Sequence, residues 1–321
     1  MKKAFNLMDY LMSSGSRISK IREWQKAQGV YVPTFLVADI ATRCNLNCPG
    51  CYKRWIQVDS SERLLSVNEW DSIFRQAEQL GVRFIFFTGG EPFLNKKVLE
   101  RAGCYSNIWF GVFTSGTLLD EENLKFLSDH RNLVPVLCLE SCSDIDLARM
   151  GRGSLLYGSL MRTMESLAAK DLIYGVSVGL TKGNRARVSQ QSFLRELYRR
   201  KCNAVVYIEY EPDEVNKNHL LLSLEERNVF EQELADRQNE FDEMLLSSFN
   251  RDGKVVYKLR TEGEPMVHIT ASGLMKPRWN KQIEGINIRE HTLKNILSQP
   301  MFEGIGREVW TEEDTELKES V

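Results

Sequence analysis

Three cysteines fall within one short stretch, TRCNLNCPGCYKRW (42–55): Cys44, Cys48 and Cys51, spaced C-x3-C-x2-C. Thiolate sulfur is a soft metal ligand, so this clustering points to a metal centre. A structural zinc site wants four protein ligands, yet no fourth cysteine follows nearby and the next histidine, His130, lies far along the chain. A 4Fe–4S cluster on three cysteines leaves one iron without a protein ligand. An open metal position is where a substrate or cofactor binds at catalytic centres. Three unrelated buried cysteines are the bland alternative, and their density argues against it. Asn45, Asn47, Pro49 and Gly50 between and beside them are turn residues, so the stretch reads as a loop wrapping one inorganic group.

A second string, TGGEP (88–92), follows an apolar run. In isolation it is an ordinary turn. Its glycines allow close backbone approach, and Glu91 supplies a carboxylate. FTSGT (113–117), LCLES (137–141) and TKGN (181–184) stand at comparable places and also read as plain loops. RMGRGS (149–154) has the look of an anion-binding turn, but a solvated loop is the simpler reading.

Composition bounds the function. With 42% hydrophobic and 27% charged residues the chain is ordinary globular protein. A net charge of −2 without a basic block argues against nucleic acid as a partner. Asp9 interrupts the basic N-terminus, which makes a poor signal peptide. No apolar run approaches membrane-spanning length. Seven cysteines, an odd number with three clustered, do not form a secreted disulfide framework. The expectation is a cytoplasmic protein with reduced thiols and no membrane contact.

The elements that must position these residues follow from hydrophobic period. Six apolar runs, at 34–41, 83–88, 107–114, 133–140, 173–181 and 203–210, read as strands buried on both faces. Between them lie helical stripes. Trp70, Ile73, Phe74, Ala77 and Leu80 form one, opened by the capping pair Ser66 and Glu69 and closed by Gly81. Leu160, Met164, Leu167 and Ala168 form another, as do Phe193, Leu194, Leu197 and Tyr198. Six β–α repeats predict a parallel sheet with right-handed crossovers, either open and doubly wound or a partial barrel. Active-site loops of such folds sit at the carboxyl ends of strands, where the cysteines and TGGEP fall. Residues 223–249 read as one long charged helix with capping pair Ser223 and Glu226. A strand at VVYKLR, a hairpin turning at Ser272–Gly273, a helix over 293–309 and a frayed acidic tail complete the chain. The division expected is an N-terminal helical segment (1–30), a core (31–222) and a C-terminal part (223–321).

The cysteine spacing in the loop after a first strand, with TGGEP after the second, resembles the signature of the radical S-adenosylmethionine (radical SAM) enzymes. Residues 255–310 resemble the SPASM or twitch extension of that superfamily, with ITASGLMKPRW as its hairpin and Arg278 where relatives place a cysteine. The resemblance implies a partial (β/α)6 TIM-like barrel with a small α+β C-terminal extension. It implies one 4Fe–4S cluster on Cys44, Cys48 and Cys51, and SAM held by Thr88, Gly89, Gly90 and Glu91, with Thr114, Ser115, Glu140 and Asn184 from later strand ends. Gly50 replaces the aromatic residue common before the third cysteine, so Tyr52 is the candidate for packing near the adenine. Cys138 stands where relatives carry a hydroxyl. The implied reaction is reductive cleavage of SAM to a 5′-deoxyadenosyl radical that takes hydrogen from a substrate C–H bond.

The extension carries no cysteine, and Cys104, Cys138, Cys142 and Cys202 are not placed to converge, so a single oxygen-sensitive cluster is expected. A peptide or protein side chain is the substrate favoured by the resemblance. Without auxiliary clusters to take an electron back, the outcome shifts toward addition, rearrangement or epimerisation, or toward a small-molecule substrate. A low-potential donor of ferredoxin or flavodoxin type is the implied partner. A non-catalytic iron–sulfur sensor or carrier is the alternative, and it would have no use for the TGGEP motif. His268 and Arg278 are candidate substrate contacts, with a structural histidine and a solvated arginine the simpler reading; Cys142 is a candidate to face the active site.

Overall fold

The computed structural model describes residues 17–33, 35–48, 51, 62–139, 156–210, 220–250, 255–256, 266–277 and 284–303. Tyr52, Glu140, Cys142, Arg278, the loop 149–154, the start of the N-terminal segment and the acidic tail lie outside them. All six apolar runs fold as strands: β1 (Phe35–Ala41), β2 (Phe84–Gly89), β3 (Trp109–Thr114), β4 (Leu133–Cys138), β5 (Gly175–Leu180) and β6 (Ala204–Glu209). Helix α1 (Arg17–Ala27) precedes them. Between them lie α2 (Val67–Leu80), α3 (Lys96–Gly103), α4 (Glu121–Asp129), α5 (Leu156–Ala169), the short α6 (Arg185–Val188) and α7 (Gln191–Arg199). The cap on α2 forms as its sequence dictates. Ser66 accepts from the Glu69 N–H, Glu69 accepts from the Ser66 N–H, and Gly81 closes the helix at φ +86°.

Beyond β6 the chain adds α8 (Leu224–Glu240), β7 (Leu245–Phe249), β8 (Val255–Val256), β9 (Val267–Ile269), β10 (Leu274–Lys276), β11 (Ile286–Asn287), α9 (Leu293–Leu297) and α10 (Pro300–Glu303). The sheet order is β11-β10-β9-β1-β2-β3-β4-β5-β6-β7-β8. Strands β1 to β7 run parallel, β9 runs parallel to β1, and β8, β10 and β11 pair antiparallel at the edges. The C-terminal part therefore flanks both sides of the six-strand core within one continuous sheet, and the hairpin turns at Thr270–Gly273 as expected.

The sheet is open yet strongly curled. Strands pair about 4.8 Å apart, so six spacings laid flat would separate β1 and β7 by about 29 Å. Instead the Phe35 and Phe249 rings, on those two strands, meet at 5.7 Å. Phe35 also meets Phe86 at 5.6 Å, and Phe86 meets Phe113 at 5.8 Å, so phenylalanines line the concave face. The convex face packs on helices: Phe74 of α2 contacts Phe87 and Phe110, and Leu36, Ala38 and Ile40 of β1 share that core. This is a partial barrel with a hollow face and a helix-covered face.

Two boundaries differ from expectation. The helix predicted over 223–249 ends at Glu240, and Leu245–Phe249 is a strand paired with β6. Phe241 and Leu245 continued the apolar stripe, but pairing to a buried neighbouring strand overrides that local pattern. Gln238, 3% exposed, stitches the change. Its amide donates to the carbonyls of Phe241 at 3.1 Å and Met244 at 3.0 Å and accepts the Leu246 N–H at 2.9 Å. Of the helix predicted over 293–309, the described part to residue 303 is two short helices, because Pro300 opens a new one at its first position.

Candidate active site

Strand β1 enters the cysteine loop through a bulge. Asp39 pairs with Thr88 and Ala41 with Gly89, leaving Ile40 as the extra residue. The Ile40 carbonyl accepts from Asn95 Nδ2 at 2.6 Å. Just beyond, the N–H groups of Gly90 and Glu91 donate to the carbonyls of Ala41 at 2.6 Å and Arg43 at 2.9 Å. The loop that carries Cys44 is thus laced to Gly89–Gly90–Glu91 through backbone.

The two glycines make that lacing possible. Gly89 sits at φ +116°, a conformation L side chains avoid, and a Cβ there would come within 3.0 Å of Ala41 O. A Cβ on Gly90 would likewise come within 3.0 Å of Arg43 O. The close approach these glycines make is to the cysteine loop's own backbone.

Glu91 is 1% exposed, and both carboxylate oxygens are engaged. Oε1 accepts from Thr114 Oγ1 at 2.7 Å and from the Phe93 N–H at 3.3 Å. Oε2 accepts from the N–H and Oγ of Ser115, each at 3.0 Å. Four donors satisfy a buried charge that would otherwise be costly. From Ser115 the network continues to Thr117, whose Oγ1 lies 2.8 Å from Ser115 Oγ and accepts from Asn45 Nδ2 at 2.8 Å. Asn45 is the neighbour of Cys44, so side chains from the ends of β2 and β3 reach the cysteine loop itself.

The cysteines present an open donor set. Cys44 is exposed and Cys48 and Cys51 are half-buried. The Leu46 N–H points at Cys44 Sγ at 3.4 Å, and the Cys51 N–H donates to Cys48 O at 3.1 Å. Among the described residues no three His, Cys, Asp or Glu side chains converge as ligands of a single ion. An iron–sulfur cluster asks for something else: it spreads its thiolates over separate irons and brings its own sulfides. Three accessible thiols on one short loop, with an amide directed at one sulfur, fit that demand.

Thr88, Gly89, Gly90, Glu91, Thr114 and Ser115 thus stand together with the cysteine loop. Asn184 closes the turn after β5, accepting the Thr181 N–H at 2.8 Å and donating to Gly179 O at 2.7 Å. Cys104 at the end of α3 and Cys202 just before β6 lie at the amino ends of strands, away from the loop. Cys202 is buried, and burial pushes its thiol up to about 12. Cys138 pairs with Ser177 and shares the concave face. Sequence reasoning missed Asp39, Asn95, Asn45 and Thr117. Asn45 beside Cys44 was readable as more than a turn residue, and Thr117 closes the FTSGT string already singled out; nothing in the sequence marked Asp39 or Asn95.

A family model described as the Radical SAM superfamily matches residues 39–202. PqqA peptide cyclase of Gluconobacter oxydans is 31% identical over 178 residues, 51% of this chain and 47% of that protein. The same-named protein of Bradyrhizobium diazoefficiens is 32% identical over 100 residues, 30% of this chain and 26% of that protein. The chain spans about half the length, or less, of these curated relatives. Among solved structures, Streptococcus suis SuiB bound to S-adenosylmethionine superposes with a TM-score of 0.69 at 16% identity, covering 90% of this chain and 71% of that one. SuiB bound to the precursor peptide SuiA gives 0.67 at 14% identity, over 92% and 71%. The anSMEcpe protein with bound AdoMet gives 0.63 at 16%, over 85% and 82%. At these identities the likeness is one of fold.

Proposed function

Because the chain belongs to the radical SAM superfamily, we propose that it is a SAM-cleaving radical enzyme acting on a peptide side chain. Cys44, Cys48 and Cys51 would hold the 4Fe–4S cluster, and the ends of β2 and β3 would hold SAM beside it. When bound, this pair supplies the 5′-deoxyadenosyl radical that takes hydrogen from the target C–H bond.

The observation that carries the reading is the lacing of the cysteine loop to Gly89–Gly90–Glu91. It fixes the cysteine loop against the turn after β2 through backbone hydrogen bonds, and a fixed separation of that kind is the pre-organisation a reactive intermediate demands. Gly89 and Gly90 set the separation, Glu91 locks the end of β3, and Asn45 with Thr117 ties the loop to it. The concave face below offers phenylalanines and the 39%-exposed Ile208 as an apolar wall. Such a wall shields a radical from water and suits an apolar side chain.

Peptide modification is favoured by the names of the relatives, PqqA peptide cyclases, and by the structure of SuiB with its precursor peptide. The reductant is a low-potential donor of ferredoxin or flavodoxin type, in a reducing compartment. No described helix is long and apolar enough to cross a membrane.

The test is anaerobic reconstitution with iron and sulfide, then SAM and dithionite. The reading expects about four irons per chain and formation of 5′-deoxyadenosine, lost when Cys44, Cys48 and Cys51 are replaced by alanine. A protein that binds iron but leaves SAM intact and its own spectrum unchanged by SAM would refute it.

A further inference from the structure

The bulge at Ile40 aims β1 into the cysteine loop, and a polar trio, two buried residues and the half-buried Thr88, stands just before it. Asp39, 3% exposed, accepts from Thr88 Oγ1 at 2.6 Å. Nε2 of His268, 5% exposed, lies 3.1 Å from the other Asp39 oxygen. These three residues come from three adjacent strands, β2, β1 and β9. Alternation along β1 puts Asp39 on the same concave face as Phe35, above the phenylalanine lining.

Packing alone does not call for these residues. A carboxylate and an imidazole buried over aromatic rings carry a desolvation cost that apolar side chains of similar volume would avoid. What an acid in this place does supply is register. A strand next to a bulge can slip by one residue, and each slip turns side chains to the opposite face. Asp39 bonded across to Thr88 fixes which residues pair immediately before Gly89, and Asn95 on the Ile40 carbonyl fixes the bulge itself. His268 anchors the acid from the far side.

We propose that Asp39, braced by His268, is a positioning pair for the SAM site. It holds the register through which the cysteine loop meets Gly89–Gly90–Glu91. His268 belongs to the hairpin that resembles a SPASM extension without its cysteines, so this extension acts on the SAM site through a side chain rather than an auxiliary cluster. The inference rests on the function proposed above.

The experiment compares SAM binding by reconstituted full-length wild type, Asp39→Asn, His268→Leu and His268→Gln, with Glu209→Gln as a control. Glu209 pairs with Arg227 at 2.9 Å in an ion pair that is also buried, between β6 and α8. SAM itself is the probe, read by titration calorimetry and by its perturbation of the reduced-cluster EPR signal. Asp39→Asn and His268→Leu should keep about four irons per chain and lose SAM affinity by about ten- to a hundredfold, as removal of outer-shell partners does. His268→Gln, which keeps a polar group within reach of Asp39, should recover most of it. Glu209→Gln should lower thermal stability without changing SAM affinity.

SAM affinity within about twofold of wild type in both Asp39→Asn and His268→Leu would overturn the inference and leave the proposed function standing. So would an equal loss in Glu209→Gln, which would mark a stability effect. If His268→Leu does not fold, Asp39→Asn and His268→Gln decide the matter. Iron-loaded wild type that fails to bind SAM would overturn the function itself.

Discussion

The N–H of Gly90 donates to the carbonyl of Ala41 at 2.6 Å, across the seam between the glycine turn and the cysteine loop. No side chain fits there, because a Cβ on Gly90 would collide with the Arg43 carbonyl. Gly90→Ala should therefore push the loop away from the turn. The expected result is a folded protein whose reconstituted cluster no longer responds to SAM, with 5′-deoxyadenosine formation down by about a hundredfold or more. Circular dichroism and product chromatography check it; wild-type turnover from this variant would remove the seam from the mechanism.

Glu91 holds four donors in a buried site, so its two obvious replacements should differ. Glu91→Gln keeps the shape but turns one acceptor oxygen into a donor facing Ser115 or Thr114. Glu91→Ala leaves those donors without a partner and opens a cavity. Losses of about 1–3 kcal/mol for the first and more for the second are expected in denaturant melts of the apo-protein. Both should also release the loop at Asn45, seen as faster amide exchange at residues 44–48.

Thiol accessibility offers a test that needs no turnover. Cys104 is exposed, while Cys202 is buried with its thiol pushed up to about 12, so little reactive thiolate forms near neutral pH. Iodoacetamide on the native protein should label Cys104 and spare Cys202. Cys44, Cys48 and Cys51 should label before reconstitution and be protected after it. Peptide mapping by mass spectrometry reads all five; protection of Cys104 in place of the loop cysteines would misplace the cluster.

The strands were legible because a parallel strand within a sheet is a short, largely apolar run, and all six were. The cysteine loop and TGGEP were legible because strand order puts both at carboxyl ends. What pattern reading does not see is contact between distant segments. Asp39 looked like a lone polar residue in TFLVADIA, and His268 like a core histidine; only the parallel pairing of β9 with β1 brings them together. The Ile40 bulge had no glycine or proline to mark it. Phe241 and Leu245 continued the helical stripe, but the fate of residues 245–249 was decided by β6, an element absent from their own sequence window.

The docking of the C-terminal hairpin gives a pH dependence with a definite sign. Glu69 caps α2, yet it also receives Arg289 Nε at 2.8 Å and Arg63, while Arg289 donates to Ser272 O at 2.6 Å. Partial burial alone would raise the Glu69 carboxyl, but the Ser66 hydrogen bonds and the two guanidinium groups outweigh it and bring the carboxyl down to about 2 from 4.5. A carboxyl depressed on folding contributes stability that is complete above its unfolded value and fades as pH falls toward its folded one. Apo-protein stability should therefore decline between pH 4.5 and about 2 in a part that depends on Glu69. Glu69→Gln should cost about 1 kcal/mol at neutral pH and flatten that decline. Arg289→Leu should flatten it too and raise amide exchange in residues 267–276, where the hairpin rests on this knot. An unchanged acid limb in Glu69→Gln would show that other carboxylates govern the transition and that the knot does not hold the hairpin.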